Sequence, residues 1–203
     1  MDESRRERKK RQTRRLIAET AIRMFAEQGY EQTTVAQIAS AADVATKTFF
    51  NHFPSKEDVL FEDYRRYNDV VLAVIADRHP DDGMTDLLER VYDAMMDDYL
   101  DQGVGSRDKA LMETYTELLM TVPALQAKAL HLSSDLQRRI AGALADAFPD
   151  KLDPISAGAA VGAMVGAIQG AALASMERDE SRDRLFEAMR CGRDIALRGL
   201  HAF

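Results

Sequence analysis

The segment VATKTFFNHFPSKED, residues 44–58, combines the side-chain types that could read a DNA sequence. Lysine and asparagine can hydrogen-bond to base edges in the major groove, and an exposed aromatic ring can contact the methyl group of thymine. On a helical wheel of about 100° per residue, Phe49 and Phe53 lie about 40° apart and face a core, whereas Lys47 and Asn51 point away from it. One face of this segment is therefore predicted to pack and the other to bind DNA.

Two short helices are predicted to position these side chains. Residues 34–37, Thr-Val-Ala-Gln, form a capping box that starts a helix ending at about residue 41. A second helix follows over residues 45–53, and Pro54 ends it. Two short helices joined by a three-residue connection are typical of a helix-turn-helix, whose second helix lies in the DNA major groove.

The rest of the chain also has a helical pattern. Apolar residues recur at helical spacing through almost all of its 203 residues, and alternating strand-like runs are absent, which predicts an all-α fold of about nine helices. An apolar stripe that begins at Leu16 ends at Gly29, a residue suited to a helix C-terminus. A long helix is predicted from Ser55 to about residue 78, and five further helices follow it.

Charge is distributed unevenly along the chain. Of 27 basic and 34 acidic residues, residues 1–56 hold 11 and 7, and the remainder holds 16 and 27. A basic head on an acidic body favours a polyanionic partner for the head alone, although charge runs are also common on solvated surfaces.

Several classes of function lack their sequence signals. The single cysteine, Cys191, excludes an intramolecular disulfide and a multi-cysteine zinc site. The sequence contains no His-Glu-x-x-His, Glu-x-x-His or Gly-x-Ser-x-Gly motif and no phosphate-binding glycine loop, so we expect no catalytic site, metal or cofactor. The basic N-terminus lacks the continuous apolar core of a signal peptide, and a cytoplasmic protein is expected.

Five short motifs lie within residues 16–60. They are Gly29-Tyr30, Thr33-Thr34, Ile38-Ala39, Ala42-x-Val44 and Phe53-Pro54-Ser55-Lys56. With these motifs the segment resembles the DNA-binding domain of the TetR family of transcriptional regulators. The resemblance implies a basic N-terminal arm over residues 1–11 and a three-helix helix-turn-helix domain over residues 12–72. A helical ligand-binding and dimerisation domain over residues 73–203 would complete the chain.

The resemblance also implies which residues contact DNA. Thr46, Lys47 and Phe50 would face bases, while Thr48, Asn51 and His52 would contact phosphates or the groove wall. A lone histidine without a partner is rarely functional, and the assignment of His52 depends on its motif position alone. The remaining expected contacts, mainly to phosphates, are made by Arg11, Arg14, Thr34, Gln37 and Lys56.

Three positions depart from the family pattern. Asp43 stands where the turn usually has glycine, and Ala45 stands where a serine cap is common. Asp tolerates a left-handed backbone better than most residues, and alanine cannot cap a helix. Ala36 stands where many members have a base-reading arginine, so the operator of a relative cannot be assumed for this chain.

Residues 155–176 form an uncharged segment with a glycine at every fourth position from 158 to 170. Its length would allow a membrane span, but its Ala and Gly content gives it little drive into lipid, so no membrane is expected. The resemblance implies instead a homodimer joined by the last two helices, over about residues 154–176 and 182–200. Expected interface residues are Gly162, Gly166, Gly170, Phe186 and Met189; the alternative is that both helices form the core of a monomer.

A set of apolar residues rich in Met and Tyr predicts a pocket for a small hydrophobic or aromatic effector, although Met is also a common filler of ordinary cores. The set consists of Tyr64, Tyr92, Met95, Tyr99, Met112, Tyr115 and Leu119. The resemblance implies a homodimeric repressor that such an effector releases from a palindromic operator by moving the helix that begins at Ser55. The alternative is a ligand-independent repressor or an activator of the same family.

Overall fold

The computed structural model describes residues 4–62, 64–103, 108–178 and 180–200. Within these residues every regular element is helical, which confirms the all-α prediction and the number of helices. The elements are α1 (Arg5–Gln28), α2 (Val35–Ala41), α3 (Thr46–His52), a short 3₁₀ helix (Glu57–Val59), α4 (Tyr64–Ala76), α5 (Met84–Gln102), α6 (Lys109–Thr121), α7 (Pro123–Ala147), α8 (Pro154–Glu177) and α9 (Arg182–Leu200).

Helix α1 begins much earlier than its apolar stripe suggests. Its first turn is closed by a capping box, in which the Glu7 amide donates to Ser4 Oγ and the Ser4 amide donates to Glu7 Oε2, both at 3.2 Å. Residues 5–11, expected to form an arm, are therefore the first turns of one continuous helix. The helix ends at Gly29, whose φ of 86° favours glycine over residues with a side chain.

The prediction of one long helix from Ser55 is wrong. The chain forms the short 3₁₀ helix and a turn before α4 begins at Tyr64. Within this connection the amides of Leu60 and Phe61 each donate to the carbonyl three residues earlier, at 3.3 and 3.2 Å. Val59 and Leu60 are both buried in the core of the first unit, and packing against distant segments does not show in a local apolar pattern.

The described residues divide into two compact units, each assembled from separated segments. The first comprises Met1–Tyr67 with Asp97–Leu132, and the second comprises Asn68–Met96 with Ser133–Phe203. The core of the first unit joins α1, α2 and α3 to Leu111, Leu118 and Leu125 of α6 and α7. The boundary proposed at residue 72 remains a prediction for the functional division, because compact packing does not follow a linear cut of the chain.

The second unit is built around α8 and α9, which pack closely on each other. A Cβ atom on Gly192 would lie only 2.4 Å from the carbonyl oxygen of Ala167, so glycine is required where the two helices meet. Asp153 caps α8 by accepting hydrogen bonds from the amides of Ile155 and Ser156, at 2.8 and 3.1 Å. Within the described residues, α8 is the one helix long and apolar enough to cross a membrane, by length and composition only.

Candidate nucleic-acid interface

The helix-turn-helix is organised at its start by the predicted capping box. The Gln37 amide donates to Thr34 Oγ1 at 3.3 Å, and the Thr34 amide and hydroxyl both donate to Gln37 Oε1 at 2.8 Å. Both side chains are exposed, and they are hydrogen-bonded to each other. Their contacts with DNA remain predictions, and forming them would require the side chains to share or exchange these hydrogen bonds.

The turn between α2 and α3 depends on Asp43. Its φ of 52° is the only positive value at a non-glycine residue among those described, which confirms the left-handed conformation expected at this position. The chain is held there by hydrogen bonds from the amides of Ala42 and Val44 to carbonyls of α2, both at 2.9 Å. Ala45 precedes α3 without a side-chain cap, as predicted.

Helix α3 presents two chemically different faces. Phe49 and Phe53 are fully buried, whereas Phe50 is 53% exposed. Thr46, Lys47 and Asn51 are also exposed, and Thr48 and His52 are partly buried. The orientation predicted from the helical wheel is therefore confirmed, and the exposed face combines a cation, an amide, a hydroxyl and an aromatic ring.

Arg14 holds the C-terminal end of α3. Its guanidinium donates through Nη1 to the carbonyl oxygen of His52 and lies 4.1 Å from the ring centroid of Phe53. It also approaches the carboxylate of Glu62, with Nε 3.8 Å from Oε2. A cation at this position stabilises the negative end of the α3 dipole.

Sequence reasoning did not predict this role of Arg14, because a basic residue near a helix-turn-helix was interpreted as a phosphate contact. The available signal was its position on α1, three and seven residues before the buried Ile17 and Ala21, which places it on the core-facing side. Its side chain is only 24% exposed. A phosphate contact by Arg14 stays a prediction, whereas Arg11 lies exposed one turn further out.

Lys56 makes a second set of contacts, with the segment between α1 and α2. Its Nζ donates to the carbonyl oxygens of Tyr30 and Thr33, at 2.8 and 3.4 Å, and lies 4.0 Å from the centroid of the Tyr30 ring. The Tyr30 hydroxyl donates to Glu57 Oε1 at 2.5 Å. Burial, together with this carboxylate, raises the pKa of Tyr30 above its ordinary value. Lys56 thus joins the end of α1 to the 3₁₀ segment, and its predicted contact with DNA is not tested by these contacts.

The remaining predicted site residues lie in both compact units. Gly162, Gly166 and Gly170 of α8 have open space where a Cβ would project, and Phe186 and Met189 of α9 are partly buried. Of the proposed effector set, two residues belong to the second unit, Tyr92 and Met95, and the first unit holds Tyr64, Tyr99, Met112, Tyr115 and Leu119. The Tyr99 hydroxyl donates to the Met112 sulfur at 2.7 Å. Among the described residues no cluster of three or more His, Cys, Asp or Glu could hold a metal ion.

Comparisons with known proteins agree with this geometry. The family model for bacterial regulatory proteins of the tetR family matches residues 17–62. The transcriptional regulator TcmR of Streptomyces glaucescens is 33% identical over 140 residues, which cover 69% of this chain and 62% of TcmR. The transcriptional repressor KstR2 of Mycobacterium tuberculosis is 39% identical over 57 residues, 28% of each chain. The chain thus spans less than two thirds of the length of these curated relatives.

Solved structures show the same fold over nearly the whole chain. The fatty acid degradation regulator FadR of Bacillus halodurans has a TM-score of 0.59 at 19% identity and covers 90% of this chain and 96% of its own. A transcriptional regulator of Aquifex aeolicus has a TM-score of 0.51 at 21% identity, again over 90% and 96%. At this level of identity the likeness concerns the fold.

His52 is expected to make α3 sensitive to acid. Its Nδ1 is buried without a hydrogen-bond partner among the described residues, and burial, followed by the charges of Arg14 and Lys10, lowers the pKa of its imidazole below 6.5. The unfolded chain therefore takes up a proton first, and stability should fall as the pH decreases through about 6.5 towards the folded-state pKa. We expect His52→Gln to lose less amide protection in α1 and α3 between about pH 7.5 and about pH 5.5.

Hydrogen exchange, corrected for its intrinsic pH dependence, measures this difference. His131→Gln is the matched control, because His131 is an exposed histidine in the same compact unit. An acid-induced loss of protection that is the same in the wild-type chain and in His52→Gln would show that the imidazole does not control it.

Proposed function

Because this chain belongs to the TetR family of transcriptional regulators, we propose that it represses transcription by binding double-stranded DNA with α3 in the major groove. The main support for this proposal is the outer face of α3, where Lys47, Phe50 and Asn51 are exposed. Phe49 and Phe53 are buried on the opposite side. Lysine and asparagine supply the hydrogen bonds that distinguish bases, and the phenylalanine ring supplies an apolar contact. The similarity to KstR2, a transcriptional repressor, supports the direction of control.

Substitution of Lys47 tests the direct reading of bases. We expect Lys47→Ala to alter the sequence preference of the protein and to reduce the affinity for the cognate site by about 1–3 kcal/mol, if the lysine binds a base edge by two hydrogen bonds. Selection of random duplexes followed by sequencing identifies the site, and titration at fixed salt measures the affinities.

Two other lysine variants serve as controls for the effect of Lys47→Ala on sequence preference. Lys56→Ala should weaken binding to all sequences alike, because Lys56 supports the motif from behind. Lys151→Ala, an exposed lysine in the second unit, should change nothing. Equal losses on cognate and random duplexes for Lys47→Ala would contradict base reading by this residue.

We further propose that the protein is a homodimer joined through α8 and α9. Exposed apolar side chains lie on both helices: Ile155 is 84% exposed, Leu173 46% and Ile195 55%. Between the first two lie Gly162, Gly166 and Gly170, where backbone is accessible to a neighbour. An extended apolar surface of this kind is usually an interaction site, and an identical partner would place two α3 helices on a palindromic operator with half-sites about 34–36 Å apart.

Gly166 offers a clean test of this interface. Within one chain, a Cβ at this position meets nothing within 4 Å, so Gly166→Leu should leave the protomer folded. In a dimer packed on this face, the same side chain would prevent close contact and should shift the protein towards monomer, as measured by sedimentation velocity. Gly142→Leu is the matched control, because Gly142 is a helical glycine on α7 with equally open surroundings. A monomeric wild-type protein, or an unaffected Gly166→Leu dimer, would exclude this interface.

We also propose that a small hydrophobic or aromatic molecule binds in the second unit and releases the DNA. The supporting observation is Tyr92, whose side-chain hydroxyl is buried without a hydrogen-bond partner among the described residues. An unsatisfied buried hydroxyl is unfavourable, and a ligand with a polar end could satisfy it. The neighbouring apolar cluster includes Met95 and Met96, whose flexible thioethers can adapt to different shapes. A ligand-independent repressor or an activator is the alternative.

Tyr92→Phe separates a ligand site from an ordinary core. Without ligand, we expect the variant to be at least as stable as the wild type, because an unpaired hydroxyl is removed. Fatty acids, their coenzyme A esters and hydrophobic drugs should include compounds that raise the melting temperature of the wild type and lower its affinity for DNA. With Tyr92→Phe the same compounds should produce smaller shifts. If every compound that stabilises the protein leaves DNA affinity unchanged, ligand binding does not control DNA binding.

A further inference from the structure

One polar side chain interrupts the apolar outer face of α8. Between Ser156 and Ser175, Gln169 is the one residue whose side chain carries a charge, a hydroxyl or an amide. It is exposed, and on a wheel of about 100° per residue it lies within about 40° of Ile155 and Leu173, two exposed apolar residues of α8. Gln169 therefore belongs to the surface through which we propose that two copies of the chain pair.

The Gln169 side chain is bound to α7. Its Nε2 donates to Ser133 Oγ at 3.2 Å, and Gln137 Nε2 donates to the same oxygen at 3.2 Å. All three residues belong to the second compact unit, and Ser133 is half-buried. The outer face of α8 is thus continued by a polar group of α7 at this point.

The hydrogen-bonding capacity of this pair is not used up within one chain. A serine hydroxyl can accept two hydrogen bonds and donate one, and a glutamine amide has two N–H donors and an oxygen acceptor. The two amides fill the acceptor positions of Ser133. In the part of the chain that the structure describes, the Ser133 hydroxyl donates no hydrogen bond and Gln169 Oε1 accepts none.

A partner that covers this face must satisfy both groups. Water can bind them while the face is exposed, but a partner that packs closely on α8 displaces that water. An amide oxygen or a hydroxyl left unpaired in an interface is unfavourable. An apolar helix from another protein offers neither a donor nor an acceptor, so it would leave both Ser133 and Gln169 unsatisfied.

A second copy of the same chain supplies what is missing. Each copy carries one spare donor, on Ser133, beside one spare acceptor, on Gln169. In a twofold dimer the same patch of both copies meets, so the donor of each can reach the acceptor of the other. A copy displaced by one helical turn would lose this match, which is how a single polar residue selects partner and register in an apolar interface.

We propose that Ser133 and Gln169 form two reciprocal hydrogen bonds across the dimer, from the Ser133 hydroxyl of each copy to Gln169 Oε1 of the other. This pairing rests on the proposed homodimer and extends its interface from α8 and α9 to α7. It restricts dimerisation to an identical chain in one register, whereas the surrounding apolar residues supply affinity without this selectivity.

Mixing two complementary variants of the full-length chain tests the pairing. In their own homodimers, Ser133→Ala leaves Gln169 without a donor and Gln169→Leu leaves Ser133 without an acceptor. In a mixed dimer, one site keeps a complete pair and the other is apolar on both sides. Effects within each chain are the same in both kinds of dimer and cancel, so mixed dimers should exceed the random share of about one half. A tenfold preference would raise this share to about three quarters.

Native mass spectrometry measures the share after equal amounts of the two variants, one labelled with heavy nitrogen, have exchanged subunits. The matched control is Ser134→Ala mixed with Gln169→Leu, because Ser134 is the neighbouring, exposed serine of α7. This control should give about one half, the random share for two chains of equal preference. Gln169→Met, which has a similar length but no amide, should show the same enrichment with Ser133→Ala as Gln169→Leu does.

The outcomes separate this pairing from the dimer on which it rests. Random mixing of Ser133→Ala with both Gln169 variants would overturn the reciprocal hydrogen bonds and leave the homodimer in place. Equal enrichment with Ser134→Ala would also overturn them, because the effect would not depend on the Ser133 hydroxyl. A wild-type chain that is monomeric in the same spectra would instead refute the proposed homodimer itself.

Discussion

The contact between Arg14 and the C-terminal end of α3 is the interaction on which the candidate interface depends. Helix α3 has only seven residues and no side-chain cap at its start, so its own hydrogen bonds cannot hold it firmly. Its position is fixed instead by burial of Phe49 and Phe53 and by the Arg14 guanidinium, which binds a terminal carbonyl and covers the Phe53 ring. The same side chain also binds Glu62, so one residue connects α1, α3 and the segment that leads to α4.

The helix-turn-helix could be predicted because its determinants are local. The Thr34–Gln37 capping box, the left-handed residue before α3 and the spacing of Phe49 and Phe53 each act over a few residues, and each is present as expected. The long helix from Ser55 was wrong for the opposite reason: Val59 and Leu60 are both buried by packing against distant segments. Adjacent buried residues also occur within regular helices, such as Ile17 and Ala18 in α1, so the local apolar pattern could not indicate the break.

Charged residues were the hardest to interpret from sequence. Arg14 and Lys56 occupy motif positions that suggest phosphate contacts, yet both hold the motif together by binding backbone carbonyls and aromatic rings. The helical periodicity of α1 places Arg14 near the core, but residue type and motif position alone do not distinguish a cation that faces solvent from one whose side chain is folded inwards. The packing of α6 and the start of α7 into the core of the first unit could not be predicted from local patterns either, since it joins residues about a hundred positions apart along the chain.

The exposed set on α3 limits what one copy of the chain could achieve. Four outward side chains, Thr46, Lys47, Phe50 and Asn51, can contact only a few base pairs, and each good contact contributes about 1–3 kcal/mol of discrimination. A single α3 would therefore distinguish its site poorly from the many competing sequences in a genome. A second copy joined through α8 and α9 would double the contacts and make the second binding event intramolecular. DNA recognition by the exposed face of α3 therefore depends on the apolar surface of α8 and α9, because so short a helix recognises its site specifically only when two copies of the chain bind together.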